Sequence, residues 1–105
     1  MGETRLVKVR YTLPALAELD EMLDTIVAHS PQGAARVQAG IKSFIDLLPL
    51  HPFIGTRTDD PTIRRLVVTP YPYLVFYEAT ESEIVIHSVR HSARHPSPVP
   101  GSARR

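Results

Sequence analysis

The 105-residue sequence contains no cysteine, which excludes disulfides, thiolate zinc sites and cysteine nucleophiles and is consistent with a reducing compartment. It has no apolar run approaching the ~20 residues a membrane helix requires. Its first residues, Met1-Gly2-Glu3-Thr4-Arg5, lack the apolar segment of a secretory signal, so the expected location is the cytoplasm, with no membrane partner. No internal repeat is visible. Lysine occurs only at Lys8 and Lys42, and no tyrosine follows Tyr77. The length suits one domain with one core, and a hydrophobic fraction of 43% is that of an ordinary globular protein.

A formal net charge of +1 is too small to mark a nucleic-acid binder, yet the charges are unevenly placed. Between Tyr11 and Ala35 there is no Lys or Arg, while Glu18, Asp20, Glu21 and Asp24 are acidic. After Glu83 the bias reverses: Arg90, Arg94, Arg104 and Arg105 follow without a carboxylate, interleaved with His87, His91 and His95. Such a bias is either a solvated rim with a tail or a site facing an anion or an acidic partner.

Arg5 to Tyr11 alternates, Val7, Val9 and Tyr11 against Leu6, Lys8 and Arg10, and reads as an edge strand with one drier face. Thr12 is a suitable N-cap and Pro14 falls in the first helical turn. Leu16, Leu19, Leu23, Ile26 and Val27 then recur at helical spacing, predicting a helix from Leu13 to His29 with its acidic side outward. Ser30-Pro31 ends it and starts a second, whose stripe is Ala34, Val37, Ile41, Phe44, Ile45 and Leu48, and so short a link forces an antiparallel hairpin. Pro49 and Pro52 stop that helix. Phe53 to Thr62 reads as a loop, with Gly55 at a turn needing positive φ.

The stretch Arg64 to Pro96 is richest in β-branched and aromatic residues. It predicts three strands, Arg64 to Val68, Tyr73 to Glu78 and Glu83 to His91, the first break carrying Pro70 and Pro72, which cannot sit in a central ladder. Period-two alternation puts Ile84 and Ile86 on one face and Val85 and Val89 on the other, with Tyr73, Val75 and Tyr77 opposite to Leu74 and Phe76. Both faces are apolar, so something besides the helical pair is expected to cover the second. The expected fold is α+β: an N-terminal strand, a helical hairpin, then a three-stranded meander in a small antiparallel sheet, as one domain over residues 1–96. Residues 97–105, with prolines and little apolar bulk, are expected to be a disordered tail.

This order of elements, with SPQGAAR opening the second helix, LPLHPFIG closing it, RRLVV, YPYLVFY and the terminal VRHSARHP, resembles the RelE/ParE superfamily of bacterial toxins from type II toxin–antitoxin pairs, and more closely the ParE branch. The resemblance runs from Val7 to Pro96. It implies a small toxin held by a ParD-like antitoxin, encoded next to it, and poisoning DNA gyrase when free. The RelE branch would instead imply cleavage of mRNA on the ribosome, and a degenerate member would bind its antitoxin and harm nothing. No cofactor is implied.

Metal-free RNA cleavage needs a base, an acid and cations for the phosphorane. Arg65, His91 and Arg94 are the candidates, with Arg65 and Arg94 roughly matching the RelE-branch basic positions and Arg57 and Arg64 offered as substitutes for the lysines that branch has just before this strand. The missing lysines and C-terminal tyrosine depart from that pattern. His87, His91 and His95 have helical spacing on what reads as a strand, where His87 and His91 would lie about 13 Å apart, too far to share a metal ion. For a partner, Arg65, Arg90 and Arg94 would meet acidic side chains, while Leu74, Phe76, Val85 and Val89 supply apolar contact and Tyr71 an exposed aromatic.

Overall fold

The computed structural model describes residues 7–93. The expected tail, together with Arg94 and His95, lies outside them. Seven elements follow in order: β1 (Lys8–Tyr11), α1 (Leu13–His29), α2 (Pro31–Leu47), β2 (Thr56–Arg57), β3 (Arg64–Val68), β4 (Tyr73–Ala79) and β5 (Glu83–His91). Among the described residues no helix is long and apolar enough to cross a membrane.

Both helices begin as their caps dictate. Thr12 Oγ1 accepts from Ala15 N at 3.1 Å, and Ser30 Oγ accepts from Gly33 N at 2.9 Å. Ser30 also closes α1, its N–H donating to Ile26 O at 2.7 Å. One residue therefore satisfies orphan groups of two helices, and the chain reverses there. The hairpin lies on one sheet face: Ala15, Val37, Ile41, Ile45 and Leu48 share a core with Leu66, Val68, Tyr73, Val75, Tyr77, Ile84, Ile86 and Val89. Leu16 and Val27, at the margin of the α1 stripe, stay exposed.

The five strands are ordered β1-β5-β4-β3-β2, giving the expected α+β fold with two differences. First, β1 pairs with β5 in parallel; the sheet is mixed, because the helical crossover brings β1 beside the last strand rather than into the meander. Second, the predicted loop contains β2, two residues pairing antiparallel with β3.

A bulge changes the faces. Tyr77 pairs with Ile86 but Phe76 pairs with Ser88, leaving His87 as an extra residue. The alternation after it is shifted by one. Val89 consequently joins Ile84 and Ile86 in the core at 2% exposure, which corrects its expected place on the opposite face.

Gly55 needs its lack of a side chain for a reason other than a turn. It has no positive φ; a Cβ there would lie 2.8 Å from both Tyr77 Cε1 and Oη and 3.0 Å from Arg65 O. Tyr71 is likewise corrected. Its ring packs over Gly40 of α2, where a Cβ would meet Cε2 at 2.9 Å, and it joins the core margin instead of standing free.

Candidate functional site

The sheet face turned away from the helices is built from three rows in register. Val67, Leu74 and Arg90 form one, Arg65, Phe76 and Ser88 the next, and Glu78, Val85 and Arg10 the third. Phe76 and Val85 are already buried, at 6% and 4% exposure, whereas Val67 is 43% exposed and Leu74 half-buried. The apolar strip needing cover is thus narrower than alternation suggests, because the Arg90 guanidinium lies over the Phe76 ring, 5.2 Å from its centroid.

Two carboxylates on this face are engaged. Arg10 Nε and Nη2 donate to Glu83 Oε1 and Oε2 at 3.2 and 3.1 Å, a bidentate pair that straps β1 to β5 and holds the Glu83 carboxyl below its ordinary range. His87 Nε2 lies 3.1 Å from Glu78 Oε1. With Arg65 exposed and Arg90 over Phe76, the face is basic with an apolar strip beside it.

Arg90 is held from behind. Its Nε donates to Ser88 Oγ at 3.1 Å, and Ser88 Oγ donates to Glu18 Oε1 at 2.6 Å. Glu18 Oε1 also accepts from Val89 N at 3.1 Å. Beyond Tyr11, where β1 gives way to α1, this carboxylate satisfies an edge N–H of β5 that a longer β1 would have bonded. Ser88 is buried at 1% exposure. Sequence reasoning grouped Glu18 with the outward acids and overlooked Ser88. No sequence signal set Glu18 apart: Ala15 and Met22, three and four positions from it, lie outside the apolar stripe, and Asp20 stands as near to Leu16 and Leu23.

The two nuclease candidates among the described residues, Arg65 and His91, do not converge. His91 pairs with Tyr73 and meets its ring edge-on at 5.3 Å, so it projects on the helix side, whereas Arg65 pairs with Phe76 on the open side. Its Nδ1 accepts from Ala93 N at 3.1 Å. Arg64 faces the helix side too, bonding Gly55 O at 2.8 Å and lying over Phe53 at 4.9 Å. A groove of about 840 Å³ between α1 and the end of β5 is lined by Glu18, Met22, Ile26, Tyr73, Arg90 and His91 among others, and Arg65 does not reach it.

Residues 9–96 match the family of ParE toxins of type II toxin–antitoxin systems, parDE. Toxin RelE2 of Caulobacter vibrioides is 36% identical over 89 residues, covering 85% of this chain and 99% of that protein. The chromosomal ParDE TA system from P. aeruginosa matches in fold with a TM-score of 0.72 at 21% identity, over 84% of this chain and 98% of its own. A helical hairpin on one face of a five-stranded mixed sheet is here the frame of a type II toxin of the ParE/RelE superfamily. Within it, this chain belongs to the ParE toxin family.

Proposed function

We propose that the protein is a cytoplasmic toxin that inhibits DNA gyrase when free and is neutralised by a ParD-like antitoxin encoded beside it. The observation that carries the choice of target is the separation of Arg65 and His91 to opposite sheet faces. A general acid or base cannot share a scissile phosphate with a cation across the thickness of a sheet. The absence of the lysines and terminal tyrosine of the nuclease branch supports the same reading.

The antitoxin segment lies on the open face, apolar residues at i, i+3, i+4 and i+7 against Val67 and Leu74 and acidic side chains toward Arg65 and Arg90. About 800 Å² buried on each side is usual for a specific complex. The test is a pair of assays on purified toxin: gyrase supercoiling, expected to be inhibited and restored by antitoxin, and cleavage of ribosome-bound message, expected to be absent. Codon-specific cuts lost on Arg65→Ala or Arg94→Ala would replace this reading with the ribonuclease one.

A further inference from the structure

The end of α2 and the segment after it carry the densest group of exposed large hydrophobic residues among the described residues. Within eight residues Leu47, Leu50, Phe53 and Ile54 are 43, 77, 67 and 47% exposed. Isolated exposed leucines are ordinary, but four such side chains within eight residues, at a helix end and the loop after it, mark an interaction surface. None of them lines the groove between α1 and the end of β5 or the smaller one beside Tyr11 and Ile41. They stand out as a knob.

The knob is rigid. Tyr77 Oη, fully buried, donates to Pro52 O at 2.7 Å and accepts from Gly55 N at 3.0 Å, pinning the loop from beneath. Arg64 bonds Gly55 O at 2.8 Å and lies over the Phe53 ring. Turns close the rest: His51 N donates to Leu47 O at 2.9 Å and Ile54 N to His51 O at 3.3 Å. An apolar surface held in place by a buried phenol has lost its ordering entropy before any partner arrives, which is what an energetic hot spot requires.

We propose that the surface formed by Leu47 at the end of α2 and by Leu50, Phe53 and Ile54 of the following loop is the one through which the toxin grips its target, and that the target offers an apolar pocket with an acidic rim. The occupant follows from shape and charge. A preformed projecting knob needs a preformed concavity, which a folded protein has and a segment that orders only on binding lacks. Arg57 and Arg64, paired across β2 and β3 beside the knob, make the complementary rim acidic. A second copy docking by the same surface about a twofold axis would set knob against knob and supply no pocket. Identifying the pocket's owner as gyrase rests on the proposed function above, whereas the surface itself does not.

The test uses full-length Leu50→Ser, Ile54→Ser and Phe53→Ser in three assays. Leu50 and Ile54 are exposed, so their variants should melt within about 3 °C of the parent, which separates loss of contact from loss of fold. Growth arrest on induction should be lost, and the concentration that half-inhibits purified gyrase should rise at least about 30-fold, the scale of a lost hot spot. Affinity for the antitoxin should stay within threefold of the parent. Variants that arrest growth as the parent does overturn the inference. So does an equal loss of antitoxin binding, which would make the knob part of that interface. If the parent leaves gyrase untouched while the variants still lose toxicity, the surface stands and the choice of gyrase fails.

Discussion

Replacing Tyr77 by Phe removes one oxygen from the best-buried aromatic of the core and tests how the exposed loop is held. Tyr77 is 0% exposed, and its Oη serves both Pro52 O and Gly55 N. In the variant the Gly55 N–H, on a buried residue, loses its acceptor, while the half-buried Pro52 carbonyl can turn to water. Stranding a buried donor costs about 1–3 kcal/mol, and the bond to Pro52 contributes about 1 kcal/mol at most. We expect a loss of about 2 kcal/mol, or ~10 °C in melting temperature for a domain of this size. Urea unfolding followed by circular dichroism should show a lower midpoint with an unchanged slope. A loss below ~0.5 kcal/mol would mean that the phenol does not hold the loop.

An alkaline arm sharpens the test. Burial raises the Tyr77 pKa above 10.0, opposed by the Gly55 N–H bond, which favours the phenolate. Because the folded value lies above the unfolded one, this group's contribution is fully present below the ordinary phenol pKa and is lost as pH rises through the folded value. Parent stability should therefore fall above about pH 10 more steeply than that of Tyr77→Phe. Burial raises the Tyr11 pKa as well, but Tyr11 is common to both proteins. Parallel stability curves between pH 9 and 11 would show that the buried phenol does not contribute in this way.

Gly55→Ala should cost about 1–3 kcal/mol by overpacking and show non-additivity when combined with Tyr77→Phe in a denaturation cycle, since both act on one contact. Glu18→Ala should cost about 2 kcal/mol by leaving Val89 N and Ser88 Oγ without their charged acceptor, and Glu18→Gln, which keeps an oxygen there, clearly less. Neutralising Arg65, Arg90 and Arg94 to Gln should slow antitoxin association and flatten its salt dependence, as read by stopped flow, while Val67→Ser should chiefly speed dissociation.

The helices were legible because their signals are local. Thr12 with Pro14 and Ser30 with Pro31 set the starts, and apolar spacing gave the lengths. Strand limits were equally local, since prolines and the polar Ala79-Thr80-Glu81-Ser82 bound them. What escaped was decided by distance in space. Nothing near Lys8 says that it will pair in parallel with Glu83, and two residues in a loop rich in Asp, Pro and Gly carry too little pattern to declare β2. Gly55 read as a turn glycine and Gly40 carried no signal; their reasons are the rings of Tyr77 and Tyr71, 22 and 31 positions away. Arg65 and Arg90 were legible as a basic pair, but Glu18 behind Arg90 was not, because its partner strand comes 70 residues later.

The bulge at His87 had the largest consequence, and it yields a prediction that runs against the alternating pattern. Unbroken alternation would have put Val85, His87, Val89 and His91 on the open face, with His87 in the row of Arg65 and His91 on the same side. One extra residue moves His91 to the helix side and Arg90 to the open side. On the pattern alone, removing a residue here should turn every later side chain to the wrong face and unfold the protein. The register says otherwise, because His87 is the unpaired residue: without it, Ile86 opposite Tyr77 and Ser88 opposite Phe76 become consecutive pairs of a regular ladder. A His87 deletion should therefore fold, with Val89 still in the core, losing the contact with Glu78 and some local twist, about 1–2 kcal/mol in all. Deleting Val85 from the regular part of β5 is the matched control. It turns Ile84 out of the core and misaligns the pairing with β1, and should abolish cooperative unfolding. If the two deletions prove equally damaging in thermal denaturation, the bulge does not set the faces of this sheet.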